Sequence, residues 1–384
     1  MTQTLSAIDP LTPPLQTLAV QLAGVAADSA LAAALTTRGP AISHAEASAT
    51  ALFDQIDETR LGGSERLALA LAVAQWHDDA ALADHYRQRA AARVLPTGAR
   101  WETLLRHAQR VTHEPVVVTP ADVHALQRAG WSEDGIVTAS QIVAYVSFQS
   151  RLIAGLRLLA SGYVTAAEVT AAAAIQAPVT AGAWHTQPQT RSGRAAPLAF
   201  TRDELGWEPW LAPRAADTLS AADTEQLQKA GHWQSDYFML LARDLPVLHH
   251  RTRTDHGVFY SHGGLPRAER ELAAAVTSKV NGCIYCASVH ARKAAQLSGD
   301  VAALDILLAT PPGGDLTSGQ APRWQAQIRF AAQLAATPAS LRHAEVQRLR
   351  EMGLTDLELL DLVGAVAFFS WANRLMLTLG EPFL

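Results

Sequence analysis

The sequence predicts an all-α protein made of two tandem helical domains related by internal duplication, and three observations carry that prediction. Alanine and leucine are abundant, and no run sustains the period-two alternation of a half-buried strand. The 384 residues exceed the ~250 at which a single core usually stops growing. Finally, the chain repeats itself: "RWETLLRHAQRVTHEP", from Arg100, lies without a gap over "RWQAQIRFAAQLAATP", from Arg323. At the same offset "ADVHALQRAGWSEDGIVTASQIVAYVSFQSRL" lies over "AEVQRLREMGLTDLELLDLVGAVAFFSWANRL". Agreement at apolar positions and turn glycines alike marks a duplicated structural unit.

In each copy Gly130 or Gly353 stops a short amphipathic helix, and Ser132 or Thr355 caps the next one. That helix runs with an almost wholly apolar face to Arg151 or Arg374. Between the copies, Gln176 to Pro197 is rich in Pro, Gly, Thr and Ser without periodicity, which reads as a linker. We therefore divide the chain into a first domain over 1–165, a linker over 166–200 and a second domain over 201–384. Upstream of the paired stretches, aligning His85 with His290 sets Arg66 against Glu271, Asp78 against Cys283 and Ala81 against Cys286. On that alignment the first copy keeps the scaffold and lacks the thiols.

Composition narrows the function. A net charge of −5 leaves no basic footprint for nucleic acid, and no Lys/Arg run suggests a membrane surface. The opening "MTQTLSAIDPLTPPLQ" has neither the positive start nor the apolar core of an export signal, so a cytoplasmic protein is expected. "LELLDLVGAVAFFSW" is short for a bilayer span and carries Glu358 and Asp361, so it reads as a core helix. Hydrophobic residues form 49% of the chain against 17% charged, more apolar surface than two monomeric domains need to hide; a homo-oligomer is expected.

Both cysteines of the chain lie in "VNGCIYCASVHARKAA", which opens at Val280. Pro266 opens the preceding helix, where a missing N–H costs nothing. Leu272, Val276 and Val280 form its apolar stripe, and Asn281-Gly282 breaks it. Cys283 then falls at the start of the next helix, where unpaired N–H groups and the dipole favour a thiolate. Cys286 is one turn on and His290 another, so all three share a face, and Glu271 can fold back toward it from the preceding helix. The group suits thiol peroxidase chemistry. A base takes the proton of a thiol whose ordinary pKa is ~8.5, the sulfur attacks an O–O bond, and a second thiol closes the sulfenic acid into a disulfide. Thiols three residues apart on a helix stand slightly too far apart for a relaxed disulfide, so the oxidised pair should be easily reduced.

The pattern of Glu271, eleven intervening residues, Cys283-x-x-Cys286, three more, then His290, after the "LPRAERE" helix start, resembles the alkylhydroperoxidase branch of the carboxymuconolactone decarboxylase-like family. "GLTDLELLDLVGAVAFFSWANRLMLTLG" looks like the closing helices of its peroxidase-related members. The resemblance spans about 235–384, with the first half as a degenerate copy. It implies two alkylhydroperoxidase-like domains, Cys286 as the peroxidatic sulfur, Cys283 as the resolving one, and Glu271 with His290 as a proton relay. It also implies a peroxide substrate, an external dithiol or thioredoxin-like reductant, and neither cofactor nor metal. Two rivals stand beside it: a non-redox acid/base enzyme using Glu271 and His290, and a zinc site made of Cys283, Cys286, His290 and Glu271. His249, His250, His256 and His262 read as a partly solvated turn or a pocket lining, and Trp207 and Trp210 as packing anchors or channel walls.

Overall fold

The computed structural model describes residues 11–162, 178–231, 233 and 235–384. The chain start that reads as free of an export signal, and the expected boundary at 165, fall largely or wholly outside these residues. The first half holds α1 (Leu18–Ala23), α2 (Ala30–Thr37), α3 (Gly39–Phe53), α4 (Gly63–Trp76), α5 (Ala80–Ala90), α6 (Ala99–His113), α7 (Pro120–Arg128) and α8 (Glu133–Ala160). The second holds α9 (Ala221–Lys229), α10 (Asp236–Leu241), α11 (Leu245–Phe259), α12 (Arg267–Asn281), α13 (Ile284–Ser298), α14 (Val301–Ala309), α15 (Pro322–Ala335), α16 (His343–Glu351) and α17 (Asp356–Thr378). The fold is all-α; the strands among the described residues form a short antiparallel pair, β1 (Gly206–Pro209) with β2 (Gly380–Phe383).

The capping signals act as their residue types dictate. Ser132 Oγ accepts from Gly135 N at 3.1 Å and Thr355 Oγ1 from Glu358 N at 3.3 Å, while Glu358 reaches back to Thr355 N at 2.7 Å. The helices they start, α8 and α17, are 28 and 23 residues long. Both are therefore long and apolar enough to cross a membrane, which overturns the length argument made for α17; both are nonetheless buried inside the fold.

α8 and α17 pack along each other and form the centre of the molecule. Gly155 permits the approach, since a Cβ there would meet the Val363 side chain at 2.6 Å. Tyr145 meets Trp371 edge-on at 5.2 Å, and the Trp371 indole donates to Gln141 Oε1 at 3.0 Å. Two buried arginines cross the seam reciprocally: Arg151 donates to the Ala335 carbonyl at 3.0 Å and Arg374 to the Thr112 carbonyl at 2.7 Å. Each also donates to the carbonyl four residues back, Ser147 or Ser370. The paired residues are those that the sequence offset sets against each other.

Upstream, the backbone corrects that comparison by one residue. Arg66 donates to the Leu61 carbonyl and Arg270 to the Leu265 carbonyl, in the same turn of α4 and α12. Asp78 (φ 55°) and Gly282 (φ 79°) follow at matching left-handed positions, and Asp79 and Cys283 are the N-caps of α5 and α13. In that register Leu67 stands opposite Glu271, Leu82 opposite Cys286 and Tyr86 opposite His290, so Arg66, Ala81 and His85 are not the counterparts.

The described part of the expected linker docks along the second half. Ala181 N donates to Gly314 O at 3.0 Å, Gly182 N to Lys279 O at 3.1 Å, and Leu316 N to Val179 O at 2.9 Å. A side chain at Gly182 would strike the Val280 carbonyl.

Candidate active site

Glu271 sits in the second turn of α12, whose start is fixed by Arg270 bonding to the Leu265 and Val258 carbonyls at 2.8 and 2.9 Å. Gly282 then turns the chain in the left-handed region, where a Cβ would meet the Ala183 carbonyl at 2.3 Å, so only glycine fits. The turn makes Cys283 the N-cap of α13, and Cys286 and His290 follow at one-turn intervals.

Of the four predicted residues, Glu271 and His290 pair directly, and Cys283 and Cys286 hydrogen-bond to each other. His290 Nδ1 lies 2.5 Å from Glu271 Oε2, and the other carboxylate oxygen accepts from Arg267 Nε at 2.9 Å. With Nδ1 committed to the carboxylate, Nε2 is the ring nitrogen left for proton transfer. Phe369, 4.1 Å from the imidazole between centroids, and Phe259, at 5.7 Å, hold the ring. Burial pushes the Glu271 carboxyl up, but the His290 bond and then Arg267 outweigh it and hold it below its ordinary range.

Both thiols are buried and free, near each other but beyond bonding distance. Their polarisation reverses the dipole expectation. A hydrogen bond from Cys283 holds the Cys286 thiol below its ordinary range against its burial, helped by the charge of His290, a bond from Asn373 and the charge of Arg251. Burial, then the bond and charge of Cys286, push Cys283 well up. The dipole argument left out the bond from Cys283 to Cys286 itself, as well as the groups that Asn373 and Arg251 bring from other elements.

Several of those groups were not singled out in the sequence. Asn373 on α17 accepts from Asn281 Nδ2 and donates to Ser278 Oγ, both at 3.0 Å, which fixes its amide beside the sulfurs. Arg251 on α11 is buried over the Phe368 ring at 5.0 Å and donates to the Tyr237 hydroxyl at 3.2 Å. A polar residue inside the apolar run of α17 was the available signal for Asn373; for Arg251 the neighbouring histidines drew attention instead.

Those histidines lie elsewhere. His249, His250 and His256 are on α11, a helix rather than a turn; His250 Nδ1 faces His44 Nδ1 at 3.0 Å, and His256 stacks on Tyr260 at 5.1 Å. His262 lends only its carbonyl, to Arg38. The zinc reading loses its donor set, since among the described residues no three His, Cys, Asp or Glu side chains are grouped to hold a metal ion.

A cavity of about 90 Å³ opens at Cys283. Trp207, Trp210 and Met376 line it, with Val118 to Pro120 of the first half and His185 and Gln187 of the docked segment; both tryptophans are also buried in the core, as packing anchors are. The Trp207 indole donates to the Met376 carbonyl at 3.1 Å and that of Trp210 to Glu381 at 3.0 Å, which fixes both rings.

No curated protein matches the chain. Residues 246–310, from the start of α11 through α14, match the carboxymuconolactone decarboxylase family, and they include Glu271, Cys283, Cys286 and His290. This match over residues 246–310, together with the helical fold, is consistent with the alkylhydroperoxidase-like resemblance of the cysteine motif.

Proposed function

We propose that the protein is a thiol-dependent peroxidase reducing an organic hydroperoxide or hydrogen peroxide. The observation that carries this reading is the 2.5 Å Glu271–His290 pair beside a thiol that accepts a hydrogen bond from a second thiol. His290 Nε2 takes the Cys286 proton, and the thiolate attacks the terminal peroxide oxygen. As the O–O bond breaks, the leaving alkoxide or hydroxide regains a proton from His290, whose positive charge Glu271 stabilises. Cys286 is then a sulfenic acid, and Cys283 sulfur displaces its hydroxyl as water, the Cys283 proton completing that water. An external dithiol or thioredoxin-like partner supplies the two electrons that reopen the disulfide. In this reading the first half is a degenerate copy that offers Leu67, Leu82 and Tyr86 where the site has Glu271, Cys286 and His290, and it contributes scaffold and cavity wall.

Titrating thiols before and after one equivalent of peroxide, with mass spectrometry of the cysteine peptide, tests the reading. Two thiols should vanish into an internal Cys283–Cys286 bond; thiols that survive peroxide would overturn it. The second reading, acid/base chemistry on a small ring compound, draws on the Glu271–His290 pair being complete without sulfur. Serine at both cysteines would abolish turnover of a peroxidase and leave an acid/base enzyme much of its rate.

A further inference from the structure

His185 is the polar group of the cavity that no part of this chemistry uses. Its ring is held by a hydrogen bond to the Val118 carbonyl, and its Nε2 is buried without a partner. A ring that donates through Nδ1 presents a lone pair at Nε2, so the nitrogen left over is a base. Both His185 and Cys283 line the same cavity, whereas Cys286, the sulfur that attacks peroxide in the reading above, does not. A buried imidazole nitrogen with no partner, on a ring that lines a cavity, costs stability unless something supplies the missing hydrogen bond.

We propose that His185 is a catalytic residue for reopening the disulfide: it deprotonates a thiol entering the cavity and directs it onto Cys283. The proposal rests on the peroxidase reading for where the disulfide comes from. The reductant is a dithiol. Its first S–H gives its proton to His185 Nε2, and the resulting thiolate attacks Cys283 sulfur along the axis of the S–S bond. That bond breaks and Cys286 departs with the electron pair. The second thiol of the reductant then attacks its own sulfur in the mixed disulfide, and Cys283 leaves as a thiolate that recovers the proton from His185. The proton of this second thiol goes to Cys286 through His290. Two thiols of the reductant have become a disulfide, and the enzyme disulfide has become two thiols. The direction of attack fits the charges around the pair, because His290 and Arg251 act on Cys286 and favour it as the departing thiolate. Burial lowers the His185 pKa, which keeps the ring neutral.

The test uses the full chain oxidised with diamide, so that the disulfide forms whether or not peroxide makes it, and follows its reduction by dithiothreitol with quenched-flow thiol counting. His185→Asn keeps a donor for the Val118 carbonyl and lacks the outer nitrogen; His185→Ala lacks both. Reduction should slow about 10–100-fold in both variants, the low end of general acid–base contributions, and added imidazole should restore part of the rate to the alanine variant. Wild-type reduction by His185→Asn would assign the residue a structural role and overturn the proposal, as would the absence of imidazole rescue. A wild-type pair that diamide oxidises and peroxide does not would sink the peroxidase reading alone.

Discussion

Replacing Asp361 by asparagine probes the electrostatic anchor beneath the start of α12. The Asp361 side chain, 1% exposed, accepts from Arg38 Nε at 2.6 Å, Arg38 Nη2 at 2.9 Å and Leu265 N at 2.9 Å, and Arg270 Nη2 lies 2.9 Å away. Arg38 and Arg270 are themselves 5% and 2% exposed, so a single carboxylate balances two buried cations. Asparagine preserves the shape, removes the charge and turns an NH₂ group toward donors. Removing one member of a buried ion pair costs ~3–5 kcal/mol, because the remaining charge stays buried and uncompensated. With two guanidiniums stranded, the upper half of that range is expected, a large part of the ~5–15 kcal/mol that holds a typical protein folded. Guanidinium or urea denaturation followed by far-ultraviolet circular dichroism measures it, as a lower midpoint at unchanged slope. A loss below ~1 kcal/mol, the worth of an exposed pair, would show that the carbonyls of His262, Gly263 and Leu265 satisfy both arginines without the carboxylate, and the argument from charge would be wrong.

Glu271→Gln should slow thiol oxidation by peroxide ~100-fold in stopped flow, at the low end of what a positioned proton relay contributes. Because Glu271 is held below its ordinary pKa when folded, its contribution is present above the unfolded carboxyl value and is lost as pH falls through the folded one, so wild-type oxidation should hold through mildly acid pH and then drop. Cys283→Ser should leave a sulfenic acid on Cys286 that dimedone traps and mass spectrometry locates, while Cys286→Ser should leave Cys283 a thiol after one equivalent of peroxide. His107, buried with neither ring nitrogen bonded, is pulled down to about 4; below pH ~6.5 the unfolded chain takes a proton the folded one refuses, so stability falls by about 3 kcal/mol toward pH 4. His107→Leu should remove that acid sensitivity in denaturation curves at pH 7 and 5, and an unchanged difference between them would refute the assignment.

What could be read along the chain was what neighbours along the chain decide. Gly130, Gly353, Ser132 and Thr355 mark helix ends because their reasons are local: a left-handed turn, or a hydroxyl reaching an N–H three residues on. The length of α17 was misjudged because Glu358 and Asp361 look like interruptions in sequence. In the fold Glu358 caps the helix that contains it, and Asp361 pairs with Arg38 from the far end of the chain. The one-residue error between the halves has a similar origin. Matching His85 to His290 follows residue identity, whereas the backbone follows Arg66 with Arg270 and lets Asp78 take the left-handed turn that Gly282 takes in the other half. An aspartate doing a glycine's work leaves no mark in a comparison of letters.

The site divides along the same line. The Glu271–His290 pair and the one-turn spacing of Cys283, Cys286 and His290 were legible because they lie on two successive helices, and helical spacing is a local rule. Which sulfur is the more acidic was not, because it depends first on which thiol donates to the other, and then on His290, Asn373 of α17 and Arg251 of α11, a balance that the spacing around the cysteines cannot register. The local dipole favours Cys283, but the Cys283 thiol donates to Cys286, and His290, Asn373 and Arg251 add to that bond at a buried sulfur, where each donor counts for more than at a solvated helix end. His185 extends the argument. It belongs to a stretch whose composition says only that it is irregular, yet docking beside α12 sets it in a cavity with Cys283. A segment without periodicity can therefore complete a site that a periodic one begins, and only the packing of one against the other reveals it.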